Sequence, residues 1–371
     1  RSLHIEEDLK MIYLDNNATT KPFPEAIKIF EESYFANPHS THPAGLLADK
    51  ELQAAKESIA KDIDCEPDEI YFVGSPTEAC NWAIQILRDK ECKINYHKYE
   101  HSAVLKPILA FPEVENPKRN GYVQMLVNNI YGEIYELPVR KHDDDIIFCD
   151  GTAAIGHIPF SFRKSGIDML AFGAHKINGI RGIACLVIKK DLLPVRSLLW
   201  GGDITGGTPC QGLASAMAYA LHRNIEHMDE NIKKNKEMQD YIINELTTIP
   251  FSRVNGPVGN KRISNNVNIS FSYISGSDLQ NYLSDYNICV STGSACDSSS
   301  FVESKGGICV RPSIRGQREP ELVTIFKAGG MDKDDAKGSI RITLDANYNT
   351  MEEIKEFVNT LKNIIELNRP M

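Results

Sequence analysis

The side chain with the most chemistry to offer is Lys176, within Ala171-Phe172-Gly173-Ala174-His175-Lys176-Ile177-Asn178-Gly179. The apolar run Ile167 to Phe172 predicts a buried strand, and Gly182 to Ile188 predicts another. Lys176 then lies on a short turn between two core strands. Desolvation disfavours the charged amine, so a lysine there needs a partner or a chemical task. A lysine with a lowered pKa is a good Schiff-base former. The competing structural reading is a lysine that snorkels from a strand end to water.

Other reactive types recur in equivalent places. Thr77, His101, Asn129 and Asp150 each follow a predicted strand, as Lys176 does. Ligands of open α/β sheets bind outside the carboxyl ends of the strands. One hydroxyl, one imidazole, one amide, one acid and one amine gathered there suit pyridoxal phosphate. Lys176 would hold its aldehyde carbon, Asp150 its ring nitrogen, and Asn129 its phenolic oxygen. His101 would stack on the ring. Thr77 at a helix N-terminus would face the phosphate, with donors from His175 and Thr208 and a hydroxyl from Ser75. The structural alternative is a set of ordinary polar turns.

The elements that must position these groups alternate along the chain. Strands are predicted at Met11 to Leu14, Glu69 to Val73, Lys93 to Tyr96, Val123 to Val127 and Ile146 to Cys149, before the two flanking Lys176. Helices are predicted from about Pro24 to Tyr34, Leu46 to Asp62 and Thr77 to Leu87. The pattern implies a mostly parallel sheet covered on both faces, an α/β architecture. After the Gly-rich Gly201 to Thr208, one long helix is predicted from Leu213 to Glu245. Strands at Val267 to Phe271, Ile288 to Ser291 and Ser339 to Leu344 follow, with helices at Asp278 to Leu283 and Met351 to Leu367. Asn349 or Thr350 would cap the last helix. The domain reading is a large cofactor-binding domain over 15–235. Residues 1–14 and 236–371 would form a smaller α+β domain, with a long polar loop over about 292–337.

Bulk properties narrow the function classes. The chain has 371 residues and a formal net charge of −9 without a basic block, so nucleic acid is not expected as the main partner. No apolar run reaches membrane-spanning length, and the polar, acidic N-terminus does not read as a signal peptide. Arg1 is not an initiator, so the first residues read as a trimmed end or a tag remnant. The nine cysteines show no CxxC and no Cys/His ligand spacing, so no metal site is expected. Cys80, Cys149, Cys185 and Cys289 lie in apolar runs and read as core residues of a cytoplasmic protein.

The ordered motifs resemble the cysteine desulfurases of the NifS/IscS type. These belong to the class V aminotransferase group of fold-type I pyridoxal-phosphate enzymes. The matching stretches are Tyr13 to Thr20, Asn37-Pro38 through His42 and Gly45, Thr77-Glu78, Glu100-His101, Asn128-Asn129 and Asp150. They continue with His175-Lys176, Gly207-Thr208, Ser294-Ala295-Cys296 and Ser339-Ile340-Arg341. The resemblance implies that Lys176 is the Schiff-base lysine, Asp150 the pyridine partner, and His101 the stacking residue and acid/base. It implies that Thr208 reaches the phosphate of a neighbouring subunit in a homodimer with shared sites. Arg341 would clamp the substrate carboxylate, and Asn129, Ala18 and Thr19 would help bind substrate. Cys296 would take sulfur from L-cysteine as a persulfide, release L-alanine, and pass the sulfur to an acceptor protein. Cys296 lies among small polar residues, as a mobile nucleophile would. Cys309 is its rival in the same loop, and Arg315 is the rival of Arg341.

The chain also departs from the family pattern. Ala153 stands where the family has a glutamine that contacts the ring oxygen. Gly173 stands where it has a serine that contacts the phosphate. Pro76 replaces a small residue whose backbone N–H helps to hold the phosphate, and proline has no such donor. The stretch Asp203 to Gly206 is short and lacks the family's arginine, and the segment between Cys296 and Arg341 is long. Weaker cofactor binding or a specialised enzyme is the expectation. The open alternatives are a related carbon–sulfur or selenocysteine lyase, and a catalytically silent scaffold of the same fold.

Overall fold

A computed structural model describes residues 11–97, 99–292 and 337–368. In chain order its elements are β1 (Ile12–Tyr13), α1 (Pro24–Glu32), α2 (Pro43–Ile63), β2 (Ile70–Val73), α3 (Pro76–Asp89), β3 (Cys92–Tyr96), α4 (Ser102–Ala110) and β4 (Arg119–Met125). These are followed by β5 (Ile146–Asp150), α5 (Phe162–Ser165), β6 (Met169–Gly173), β7 (Ala184–Ile188), α6 (Gln211–Glu226) and α7 (Met228–Leu246). The rest are β8 (Ser252–Val254), β9 (Asn266–Phe271), α8 (Gly276–Ser284), β10 (Ile288–Cys289), β11 (Ser339–Thr343) and α9 (Met351–Leu367).

The chain divides into two compact units, each with its own core. One comprises Thr19–Asn128 and Ile134–Met228 and contains a six-stranded sheet in the order β2-β7-β6-β5-β4-β3. Strands β3 to β6 pair in parallel, and β7 runs antiparallel to both β6 and β2. Strands β2 to β6 therefore point the same way, and their carboxyl ends share one edge. Each of β5, β6 and β7 is buried along its whole length, as continuous apolar runs covered on both faces must be. Trp82 of α3 is fully buried and donates to the Arg196 carbonyl at 2.9 Å, which anchors α3 to the segment after β7.

The other unit comprises the described parts of Arg1–Ala18, Asn129–Glu133 and Asp229–Met371. It holds the antiparallel sheet β11-β9-β8 and the parallel pair β1-β10. Its core includes Phe271, Ile340 and Phe357, all fully buried. Thr350 caps α9 in a reciprocal box with Glu353.

Among the departures from the sequence expectation, three have a clear local cause. The single long helix is two, α6 and α7. His227 leaves helical geometry, and Asp229 and Glu230 supply the acidic first turn of a new helix N-terminus. Helix α2 starts at Pro43 rather than Leu46, because proline fits a first turn and His42 Nδ1 accepts from the Gly45 N–H at 3.2 Å. Strand β4 ends at Met125 rather than Val127. Beyond it Leu126 donates to the Asp150 carbonyl at 2.9 Å, and Val127 bridges back to Ile134.

Candidate functional site

In the first unit, the backbone around Lys176 is held at nearly every carbonyl. Lys176 ends a tight turn, Ala174–Lys176, that follows β6, and its side chain is half-buried. The His175 carbonyl accepts from the Thr20 N–H at 2.8 Å and from the hydroxyls of Thr20 and Thr19 at 3.1 and 3.4 Å. The Lys176 carbonyl meets His157 Nε2 at 2.8 Å, and the Ile177 carbonyl accepts from Asn224 Nδ2 at 2.8 Å. The Ala174 carbonyl takes the N–H groups of Ile177 and Gly179. Asn178 sits at φ 60°, a conformation that asparagine tolerates better than most residues. Its side chain reaches the Lys21 carbonyl at 3.0 Å, and its N–H reaches the Thr20 hydroxyl at 2.7 Å. This turn is fixed by neutral hydrogen bonds from three other segments, which presets where the amine starts.

Asp150 ends β5, the neighbour of β6, opposite Ala171. Its buried carboxylate accepts from the Thr152 N–H at 2.9 Å and lies against the Cys80 thiol. Burial pushes the Cys80 thiol well above its usual range, which leaves it inert as a nucleophile. The buried Thr152 hydroxyl has no hydrogen-bond partner among the described residues. His101 caps α4: its Nδ1 accepts from the Ala103 N–H at 3.1 Å, which puts the proton of the neutral ring on Nε2. Thr77 is exposed in the first turn of α3, and the Ser75 hydroxyl caps that helix by accepting from the Glu78 N–H at 3.1 Å. His175 is driven down to about 4 by burial, then by the charges of Lys176, Arg181 and His101. It is a neutral donor or acceptor at ordinary pH. Thr208 is exposed and lines a cavity of about 590 Å³ with Gly74, Glu78, Lys56 and Asp203. Burial lowers the Lys56 pKa, and His39 pairs with Asp203 at 2.9 Å.

In the second unit, Arg341 on β11 is 1% exposed. Its Nη2 donates to Asp15 Oδ1 at 2.8 Å, and its Nη1 to the Asn129 carbonyl at 3.0 Å. Asn17 Nδ2 donates to the same carbonyl at 2.6 Å, and the Ala18 N–H to the Asp15 carbonyl at 2.9 Å. The guanidinium expected to clamp a substrate is already held by a resident carboxylate. Thr19, also expected to touch substrate, places its hydroxyl 3.4 Å from the His175 carbonyl. Cys296, Cys309 and Arg315 lie outside the described residues.

Sequence reasoning missed several residues. His157 and Asn224 act through bonds to backbone carbonyls that leave no pattern in a sequence, and Thr20 and Asn178 lie in motif stretches that assign them no role. Glu100 stands in the sequence only as part of the Glu100-His101 motif. It is fully buried, with Oε1 accepting from the Met125 N–H at 3.0 Å and Oε2 without a partner among the described residues. Burial lifts its carboxyl well above the usual range, the Met125 N–H opposes this, and the Asp150 charge adds to the rise. No group of three or more metal-ligating side chains occurs among the described residues.

A family model described as aminotransferase class-V matches residues 12–120 and 115–357. The chain belongs to the class-V aminotransferase family. Within that family it is similar to proteins named cysteine desulfurase IscS. The one from Dictyoglomus turgidum is 34% identical across 96% of this chain and 94% of its own length. The one from Methanosarcina thermophila is 28% identical across 99% and 95%. A solved structure titled NifS-like protein superposes with a TM-score of 0.83 at 26% identity, covering 96% of this chain and 100% of its own. A NifS-like protein from Rickettsia africae shares the fold, with a TM-score of 0.81 at 22% identity over 96% of this chain and 99% of its own. The α/β architecture read from the sequence is that of this family.

Proposed function

We propose that this chain is a pyridoxal-phosphate-dependent cysteine desulfurase that converts L-cysteine to L-alanine and carries the sulfur as a persulfide on Cys296. The observation that carries the reading is the placement of Lys176 and Asp150 at the carboxyl ends of adjacent parallel strands, with the Lys176 turn fixed on both sides. The residues fit the cofactor. The buried Asp150 would pair with its ring nitrogen and the Lys176 amine would hold its aldehyde carbon. The unpartnered Thr152 hydroxyl would meet a polar group of the ring. The α3 N-terminus with Ser75 and Thr77, together with neutral His175, would hold the phosphate.

When bound, pyridoxal phosphate supplies an electron sink for the charge left at a substrate carbon. This chain's own residues supply the rest. The Lys176 amine takes the α-proton, from a turn whose backbone cannot drift. His101, oriented by its cap bond, presents Nε2–H as an acid. The Cys296 thiolate attacks the sulfur of the substrate. A sulfur–sulfur bond forms, the substrate carbon–sulfur bond breaks and that carbon takes a proton; the α-carbon regains the proton held by Lys176, and alanine leaves. Arg341, Asn129, Ala18 and Thr19 would orient the substrate. A protein acceptor would then take the sulfur from Cys296.

A homodimer with shared sites is part of this reading, with Thr208 serving the neighbouring subunit. Phe35 and Trp200, 94% and 86% exposed, are the kind of apolar surface that a subunit contact covers. No helix among the described residues is long and apolar enough to cross a membrane.

The test is to supply L-cysteine and a reducing thiol and to measure alanine and sulfide. Wild type should release both and show the visible absorbance of bound cofactor. Lys176→Ala should lose that absorbance and at least about 10³-fold in rate. Cys296→Ala should keep the absorbance and lose persulfide formation. Alanine release at the wild-type rate from Cys296→Ala would remove Cys296 from the reaction.

A further inference from the structure

Two departures from the family pattern, Pro76 and Gly173, are far apart in sequence and touch in space. Gly173 is buried at φ −136° and ψ 146°, an extended conformation open to any residue. Its lack of a side chain therefore answers a demand for space, not for backbone freedom. A Cβ placed there would lie 2.3 Å from Pro76 Cγ, 2.9 Å from Pro76 Cδ and 3.2 Å from His175 Nδ1. The proline ring is closed onto its own backbone nitrogen, so it cannot swing aside. Nor is α3 free to retreat, since Ala79, Cys80, Trp82 and Ala83 behind Pro76 are all fully buried. Proline is at the same time well suited to the first turn of α3, where Ser75 caps.

We infer that Pro76 and Gly173 are a matched pair, in which the proline ring fills the space of a residue-173 side chain and replaces two phosphate donors with one apolar wall. The proposal rests on the pyridoxal-phosphate reading above and concerns its phosphate end. Proline removes the N–H of residue 76, and glycine removes a hydroxyl at 173. In the first turn of α3 the Glu78 N–H is committed to Ser75, so Thr77 is left to present its N–H and hydroxyl there. Neutral His175, on the other flank of Gly173, is the second contributor. The phosphate is held by fewer donors than the family pattern provides, and neither loss can be reversed singly. A serine at 173 needs the ring gone, and removing the ring alone opens a gap over glycine.

The test is a four-member cycle in the full chain: wild type, Gly173→Ser, Pro76→Ala and the double variant. Two readouts are taken: the melting temperature without added cofactor, and the ratio of affinities for pyridoxal phosphate and pyridoxal, which lacks the phosphate. Gly173→Ser should lower the melting temperature by several degrees or prevent folding. The same serine on the Pro76→Ala background should be tolerated. The double variant should show an affinity ratio about tenfold above wild type, from two restored hydrogen bonds. A serine equally harmful on both backgrounds overturns the pairing. An unchanged affinity ratio in a folded double variant overturns the phosphate role. Wild type that binds neither compound overturns the cofactor reading, and the melting-temperature coupling would still decide the pairing.

Discussion

The Lys176 turn and the Arg341 cluster both hold a basic side chain, and they do so by opposite means. Around Lys176 the braces are neutral and grip the backbone: the Thr20 hydroxyl, His157 Nε2 and the Asn224 amide each bind a carbonyl. Around Arg341 the brace is a charge that grips the head group, with Asp15 at 2.8 Å and the guanidinium 1% exposed. The first arrangement fixes where a side chain begins. The second fixes the end of the side chain itself. A group that must change bonds during turnover suits the first device, and a group whose task is orientation suits the second.

The largest stability effect should come from breaking the charged brace. Asp15→Ala leaves the buried Arg341 guanidinium with the Asn129 carbonyl as the acceptor for its side chain among the described residues, and breaking a buried pair costs about 3–5 kcal/mol. Denaturant titration measures it. A loss under about 1 kcal/mol would show that Asp15, which is on a more open side of the pair, leaves its place to water without consequence.

The next effect sits on the neutral side of the comparison and is a pH dependence. The folded chain holds His175 at about 4, against 6.5 for an unperturbed histidine. The unfolded chain therefore takes the proton first as pH falls. Stability is lost between about pH 6.5 and 4, by about 3 kcal/mol at most. Glu100 works the other way: its folded pKa is raised, so its contribution is present in acid and lost as pH rises. The readout is therefore a difference. His175→Gln should be less acid-sensitive than wild type across that window, and parallel stability curves would refute a buried neutral His175.

What could be read from the sequence follows the same division. The strands at Ile146, Met169 and Ala184 were legible because continuous apolar runs have few other uses. Lys176 and Asp150 were legible because a charged residue at the end of such a run needs a reason. The helix break at His227 was not, since the apolar spacing runs on through it and one backbone angle decides the outcome. The early end of β4 was hidden because Leu126 and Val127 are good strand residues whose partners, Asp150 and Ile134, are set by tertiary pairing. Thr20, His157 and Asn224 are polar residues of ordinary type, significant only through the carbonyls they meet. The Pro76–Gly173 contact was visible as two separate anomalies, and only space joins them.

The smallest effect is the most discriminating. Asn224 in α6 and Gln239 in α7 make matching braces, one in each unit. Each is buried, and each amide donates two bonds of 2.8 Å to carbonyls: Ile177 and Ala220 for Asn224, Ile263 and Asn266 for Gln239. Asn224→Ala and Gln239→Ala should each lose about 1–3 kcal/mol by leaving a buried carbonyl short of a donor. Their effect on turnover should differ. Freeing the Ile177 carbonyl loosens the turn that starts the Lys176 side chain, so kcat should fall about tenfold in Asn224→Ala with KM little changed. Gln239→Ala should match it in stability and keep wild-type kcat. Equal kcat in the two variants would mean that the hydrogen bonds around residues 174–179 hold the fold and nothing more, and the contrast between a braced backbone and a braced head group would lose its functional meaning.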